Sequence, residues 1–360
     1  MLPALIIATL FYIGVWSKQS KYVYRLSFVL LYLFVVFRST NISGYDSVSY
    51  MRFFDEIPTL NFFSWKFWET SFLFDYGWGY ALINSIAKTI HDSYFFYQLF
   101  DTSLVFLLLF LVIRKLKLTY SEKCLFMFIF FCSKFIWYFF ILLRQNIANL
   151  IVWYVFIDWE PNRNCKGLMY ARDILLLLIA TSIHSTAAFM LFAYPFFIII
   201  QSVKDKIILR CTIICAVVFT IVSTYMMPLI WRVVIKVAGE RYHTYDEWGV
   251  GGINPINYIL RIAYVLLIYW YGKKYYKYKN SYETSAMAVV AGSLNVSFNV
   301  RFVEFFAIGY YSGMSHIKGF LQKQDRTWIM VGIYILYIAM LIQYILVNNP
   351  KMIHYQIFSF

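Results

Sequence analysis

Two arginines stand where a charge is expensive. Arg144 lies in Ile141-Leu-Leu-Arg-Gln-Asn-Ile-Ala148, and Arg301 in Asn295-Val-Ser-Phe-Asn-Val-Arg-Phe-Val-Glu304, both inside apolar runs. A cation at the centre of a membrane helix costs about 2.5–3.5 kcal/mol on insertion scales. A guanidinium stays charged in any surroundings and can grip two phosphate oxygens at once, so each reads as half of a phosphate clamp. The competing reading is snorkelling to an interface, or for Arg301 pairing with Glu304 three residues on.

Proton transfer needs a group of another kind. His184 lies in Thr181-Ser-Ile-His-Ser-Thr-Ala-Ala188, where small neighbours leave room for close approach; a packing histidine is the alternative. Asp46 follows a turn at Gly44 and has Tyr50 one helical turn later. It suits a general base, or merely a helix N-cap. The segment Arg241-Tyr-His-Thr-Tyr245 sets a cation among aromatics, as a headgroup anchor or a sugar-stacking surface would. The chain has no Gly-rich phosphate loop, Gly-x-Ser-x-Gly, His-Glu-x-x-His or Asp-x-Asp. The best carboxylate pair for a metal is Asp55-Glu56, and the cysteines have no zinc spacing. Neither metal nor cofactor is expected.

Lipid must position these residues. Of 360 residues, 61% are hydrophobic and 14% charged, against about 45–50% and 25% in soluble domains. The net charge of +14 comes from short basic loops between apolar runs, which fits the positive-inside rule and not nucleic-acid binding. Residues 2–16 read as a retained first span, with Lys18, Lys21 and Arg25 on the cytoplasmic side after it. Residues 38–77 carry more carboxylates than cations and form an outer loop. Arg114, Lys115, Lys117 and Lys123 mark the next return inside, so only one of 78–90 and 94–113 crosses. The second is longer and apolar, which makes the first re-entrant or interfacial. Two excursions follow, 124–157 around Arg144 and 174–201 around His184, each too long for one span and short for two. A second outer loop occupies about 231–255. The expectation is an all-α polytopic bundle of about twelve spans, a single membrane domain over residues 1–360.

In order and spacing, Arg38, Gly44-Tyr-Asp46, Tyr50, Asp75-Tyr-Gly77, Leu143-Arg-Gln-Asn-Ile-Ala148, His184-Ser185, the 241–245 segment and Arg301 together resemble the EpsG-type branch of the Wzy polysaccharide polymerases. The departure is Asp75, where that branch carries Glu, with the Trp78-Gly79 that follows. The resemblance implies an enzyme of the inner (cytoplasmic) membrane with its site facing the periplasm or exterior. It would join undecaprenyl-diphosphate-linked glycans, one as donor and one as acceptor, into O-antigen, capsule or exopolysaccharide. It implies no metal, and it admits a chain-length regulator as partner. Arg144 would then stabilise the leaving diphosphate, and Asp46 or His184 would take the acceptor proton. Arg38, Tyr50, Arg241, Tyr242, Tyr245 and Arg301 would bind substrate. A lipid-linked oligosaccharide flippase would also use intramembrane arginines, but related halves are not visible here. A ligase differs only in its acceptor, and a membrane acyltransferase would want an acidic residue near His184.

Overall fold

The computed structural model describes residues 1–39, 47–60, 77–135, 139–140, 142–157, 166–201, 203–238, 280–293 and 299–348. Among them every regular element is a helix. The chain divides into two compact units, one of Met1–Ala188 with Met314–Phe360 and the other of Phe189–Gly313.

The first unit holds α1 (Leu2–Trp16), α2 (Ser20–Val36), α3 (Ser47–Glu56), α4 (Trp78–Ile90), α5 (Tyr94–Lys115), α6 (Tyr120–Phe130), α7 (Leu143–Ile157) and α8 (Lys166–Ile183). The second holds α9 (Ala188–Gln201), α10 (Asp205–Ala238), α11 (Asn280–Gly292), α12 (Asn299–Phe306) and α13 (Ile308–Ser315). The chain returns to the first unit through α14 (Ile317–Phe320) and α15 (Lys323–Asn348).

Local chemistry sets the boundaries. Ser93 caps α5 by accepting from the Phe96 N–H at 3.2 Å. Thr119 and Glu122 close a reciprocal capping box on α6. The helix α6 continues into a π-helical turn, Phe131–Phe135, a widening often found beside functional sites. Both long excursions break where a polar residue sits. Arg144 lies in the first turn of α7, and His184 is an extended residue between α8 and a short 3₁₀ turn, Ser185–Ala187. The helix α10 runs on to Ala238, so the start of the expected second outer loop is helical.

The core of the first unit is aromatic. Phe11, Phe126, Phe128, Phe130, Phe131 and Trp153 are buried, and Tyr12 lies 4.7 Å from Tyr334 of α15, ring to ring. Polarity is otherwise inverted with respect to a water-soluble protein. Asn84, Gln98, Asp101, Gln145, Asn146 and Asn149 are each no more than 2% exposed, while Phe192, Phe196 and Trp328 present 73%, 63% and 79% of their surface. Lipid solvates such an exterior, and polar groups then turn inward. By length and composition α5 and residues Lys323–Val347 of α15 are long and apolar enough to cross a membrane.

At one end of the first unit, Glu122 meets the C-terminal segment. Its Oε1 lies 2.7 Å from His316 Nδ1, and its Oε2 accepts from the Thr119 N–H and hydroxyl, both at 2.8 Å. Burial pushes the carboxyl up, but the hydrogen bonds from His316 and Thr119 prevail and hold it at about 2. A carboxylate depressed from about 4.5 in the unfolded chain contributes stability in full above that pH and loses it as pH falls through about 2. Glu122→Gln is therefore expected to lower Tm at pH 7 and to converge with the wild type only as pH falls through about 2. Parallel melting curves across that range would remove Glu122 from the account.

Candidate functional site

The polar residues gather at the other end. Arg38 follows the last turn of α2, whereas the Cys124 thiol reaches the Ser20 carbonyl at the first turn of that helix, on the Glu122 side. Seventeen helical residues separate the two ends by about 25 Å.

Arg38 is 2% exposed. Its guanidinium donates to the Val35 carbonyl at 2.7 Å and lies 5.3 Å from the centre of the Phe140 ring. The side-chain amide of Gln98 on α5 donates to the carbonyls of Val36 and Arg38, at 2.6 and 2.9 Å. This clamp ties the unwound end of α2 to α5. One turn further along α5 stands Asp101, also 2% exposed and within electrostatic reach of Arg38. Its Oδ1 is buried without a hydrogen-bond partner among the described residues.

Tyr80 of α4 and Tyr97 of α5, both wholly buried, join hydroxyl to hydroxyl. The Tyr80 ring has three neighbours. Phe53 stacks on it at 6.0 Å, Tyr50 meets it edge-on at 5.9 Å, and the Arg144 guanidinium lies 5.9 Å from its centre. The last distance is within cation–π range. Lys88 donates to the Phe54 and Asp55 carbonyls at 3.1 and 2.7 Å, which fastens α3 to α4.

His184 reaches this neighbourhood through close packing of α4 on α8. A Cβ on Gly77 would lie 2.6 Å from the Ser182 carbonyl oxygen, and one on Gly79 would lie 3.0 Å from the Ser182 carbonyl carbon. Gly77 also has φ +87°, a region that side chains rarely enter. Trp78-Gly79, which departs from the motif order, is thus a contact surface for the strand-like break at His184. The Thr186 hydroxyl lies 2.7 Å from His184 Nδ1, and the 3₁₀ turn after it packs on α7. Gly77→Ala combines positive φ with a backbone clash, and a loss of about 2–3 kcal/mol is expected. A Gly77→Ala protein with the wild-type Tm would show that α4 can shift away from α8.

Of the residues singled out from sequence, the structure therefore assembles Arg38, Tyr50, Arg144 and, across the α4–α8 contact, His184. Arg301 belongs to the second unit, in α12 packed on α11, where Glu283 and Glu304 are fully buried. Asp46, Arg241, Tyr242 and Tyr245 lie outside the described residues. Asp101, Tyr80 and Tyr97 were not anticipated. For Asp101 and Tyr97 the signal is a stripe on α5, Tyr94, Tyr97, Gln98 and Asp101, spaced at three and four residues within a helix that otherwise reads as a plain span. Among the described residues no group of His, Cys, Asp and Glu could hold a metal ion.

The arrangement offers two guanidinium groups, a buried carboxylate and an imidazole around an aromatic wall. That set is suited to stabilising a developing anion in a site of low polarity. Among known families, a model described as the EpsG family matches residues 21–357. Comparison with curated proteins and with solved structures gives no match.

Proposed function

This chain belongs to the EpsG family, which makes it a polysaccharide-polymerase-like membrane protein, and from that premise we propose that it polymerises glycan repeats carried on undecaprenyl diphosphate at the outer face of the inner membrane. About twelve crossings, with broken helices paired at Arg144 and His184, would bring the chain through the bilayer. The hydroxyl oxygen of the acceptor glycan attacks the anomeric carbon of the donor. The bond from that carbon to the diphosphate oxygen breaks, and the polyprenyl diphosphate leaves with the electron pair. A single displacement inverts the anomeric centre.

Two demands follow from this chemistry. The leaving diphosphate gains charge, which Arg144 is placed to receive, with Arg301 and Arg241 as further donors. The acceptor hydroxyl gives up a proton, to Asp46 or to His184. Arg38 and Tyr50 shape the wall behind Arg144, and Tyr242 and Tyr245 offer rings for sugar stacking. The observation that carries the reading is the Arg144 guanidinium over Tyr80, in a cluster whose polar groups are sheltered from water.

Deletion of the gene, followed by gel analysis of the surface glycan, is the test. A polymerase deletion leaves a single repeat unit on the acceptor and no ladder. Complete loss of the repeat would favour a flippase or ligase, and an unchanged ladder would end the proposal.

A further inference from the structure

At the Glu122 end of the first unit a cavity of about 230 Å³ opens between α1, the start of α6 and the segment from Ser315 to Arg326. At about 30 Å³ per water it has room for some seven waters, or for one phosphate group with its ester stub. Two cations line it. Lys318 donates to the Val15 carbonyl at 2.5 Å and stands 4.6 Å from the centre of the Trp16 ring. Arg326 donates to the Leu321 carbonyl at 3.0 Å, and its Nε is buried without a hydrogen-bond partner among the described residues. Burial first, and the Arg326 charge second, hold the Lys318 ammonium below its usual value, so the two cations act on each other.

Neither has an anionic counterpart. The one carboxylate on the cavity wall is Glu122, whose oxygens are taken by His316 and Thr119. Neither Lys318 nor Arg326 pairs with a carboxylate among the described residues. Two neighbouring cations on the wall of one open space, with Ser121 and Ser315 among its lining residues, suit a small anion with several acceptor oxygens. Val15 and Leu125 give the wall an apolar side, as expected where a helix end meets the headgroup layer.

We infer that this cavity is a binding site for a phosphate group, supplied by the headgroup of an anionic phospholipid, which Lys318 and Arg326 grip while bridging α1 to the C-terminal helix. The site is separate from the Arg144 cluster and independent of the polymerase reading. Lipid composition would then set how firmly α15 is fastened to the rest of the unit.

The test uses the full chain purified in detergent, with three probes: phosphatidylglycerol, phosphatidylcholine, and inorganic phosphate against chloride at matched ionic strength. Saturating phosphatidylglycerol is expected to raise Tm by about 4 °C over phosphatidylcholine. Lys318→Gln and Arg326→Gln should each weaken that response about fivefold, the equivalent of about 1 kcal/mol per cation. If inorganic phosphate reproduces the rise and both variants lose it, the site holds and its ligand is the soluble ion. A wild type that answers neither probe, or variants that answer as the wild type does, would overturn the inference. Should a glutamine variant fail to fold, native mass spectrometry of the wild type in an equimolar lipid mixture decides. Preferential retention of one phosphatidylglycerol supports the site, and equal retention of both lipids overturns it.

Discussion

Arg144→Lys is expected to reduce polymerisation by at least 10²-fold and to collapse the glycan ladder toward a single repeat, with the protein still folded. Removing one preorganised donor from a developing oxyanion costs about 10²–10³ in rate where the donor is held in a site of low polarity. Lysine keeps the charge but loses the planar fork that meets two diphosphate oxygens together. The position of the guanidinium is specific. It stands in the first turn of α7, next to the buried amides of Gln145 and Asn146, and over a Tyr80 ring that Phe53, Tyr50 and the Tyr97 hydroxyl all hold. An ammonium on a flexible stem has no such seat. The measurement is chain length on gels together with turnover of lipid-linked repeats in membranes, with expression and Tm as controls. Wild-type chain length in Arg144→Lys would dismiss bidentate diphosphate binding. Cysteine labelling adds a topological check: Arg144→Cys should react from the outer side, and reaction from the cytoplasmic side would exclude Arg144 as a donor to a diphosphate released at the outer face.

Sequence reasoning reached Arg144 and His184 because each interrupts an apolar stretch of awkward length, and a break in a membrane helix requires polar groups to be satisfied inside protein. The structure puts a break at both. It did not reach Asp101, for a reason of averaging. In the 22 residues of α5, hydropathy is high enough that a lone carboxylate vanishes into the mean. Its partner is also remote, since Arg38 lies 63 positions earlier and the link runs through Gln98 to the carbonyls of Val36 and Arg38. Local spacing cannot show such a pairing. Gly79 illustrates the same limit. From sequence it is a departure from a motif, whereas in the fold it is the clearance that lets α4 lie on the Ser182 backbone. Loop residues such as Asp46 and Tyr242 stand out through their neighbours, a turn at Gly44 and a cation among aromatics, and the described residues do not extend to them.

The second large effect concerns Arg38 and Asp101. Each is 2% exposed; burial acts most strongly on the Asp101 carboxyl, and the Arg38 charge reaches it without a direct ion pair. Removing one of two opposite buried charges leaves the other less compensated, at about 1–3 kcal/mol, whereas replacing both by apolar residues of similar size is near neutral or stabilising. Arg38→Met and Asp101→Leu are therefore expected each to lose most of the folded yield, and the double variant to recover it. Activity should not follow stability. The Asp101 charge reaches both Tyr80 and Tyr97, and Arg144 lies over the Tyr80 ring, so an apolar replacement leaves these rings without that neighbouring charge. The double variant should retain wild-type Tm yet polymerise at least tenfold more slowly, with the loss in kcat and little change in the KM for the donor. Recovery of rate together with Tm would reduce the pair to scaffold. Single variants as stable as the wild type would mean that the two charges do not depend on one another at all. The double-mutant cycle distinguishes these cases because its coupling term vanishes when the residues are independent, whereas two opposite charges that compensate each other make two damaging substitutions repair each other.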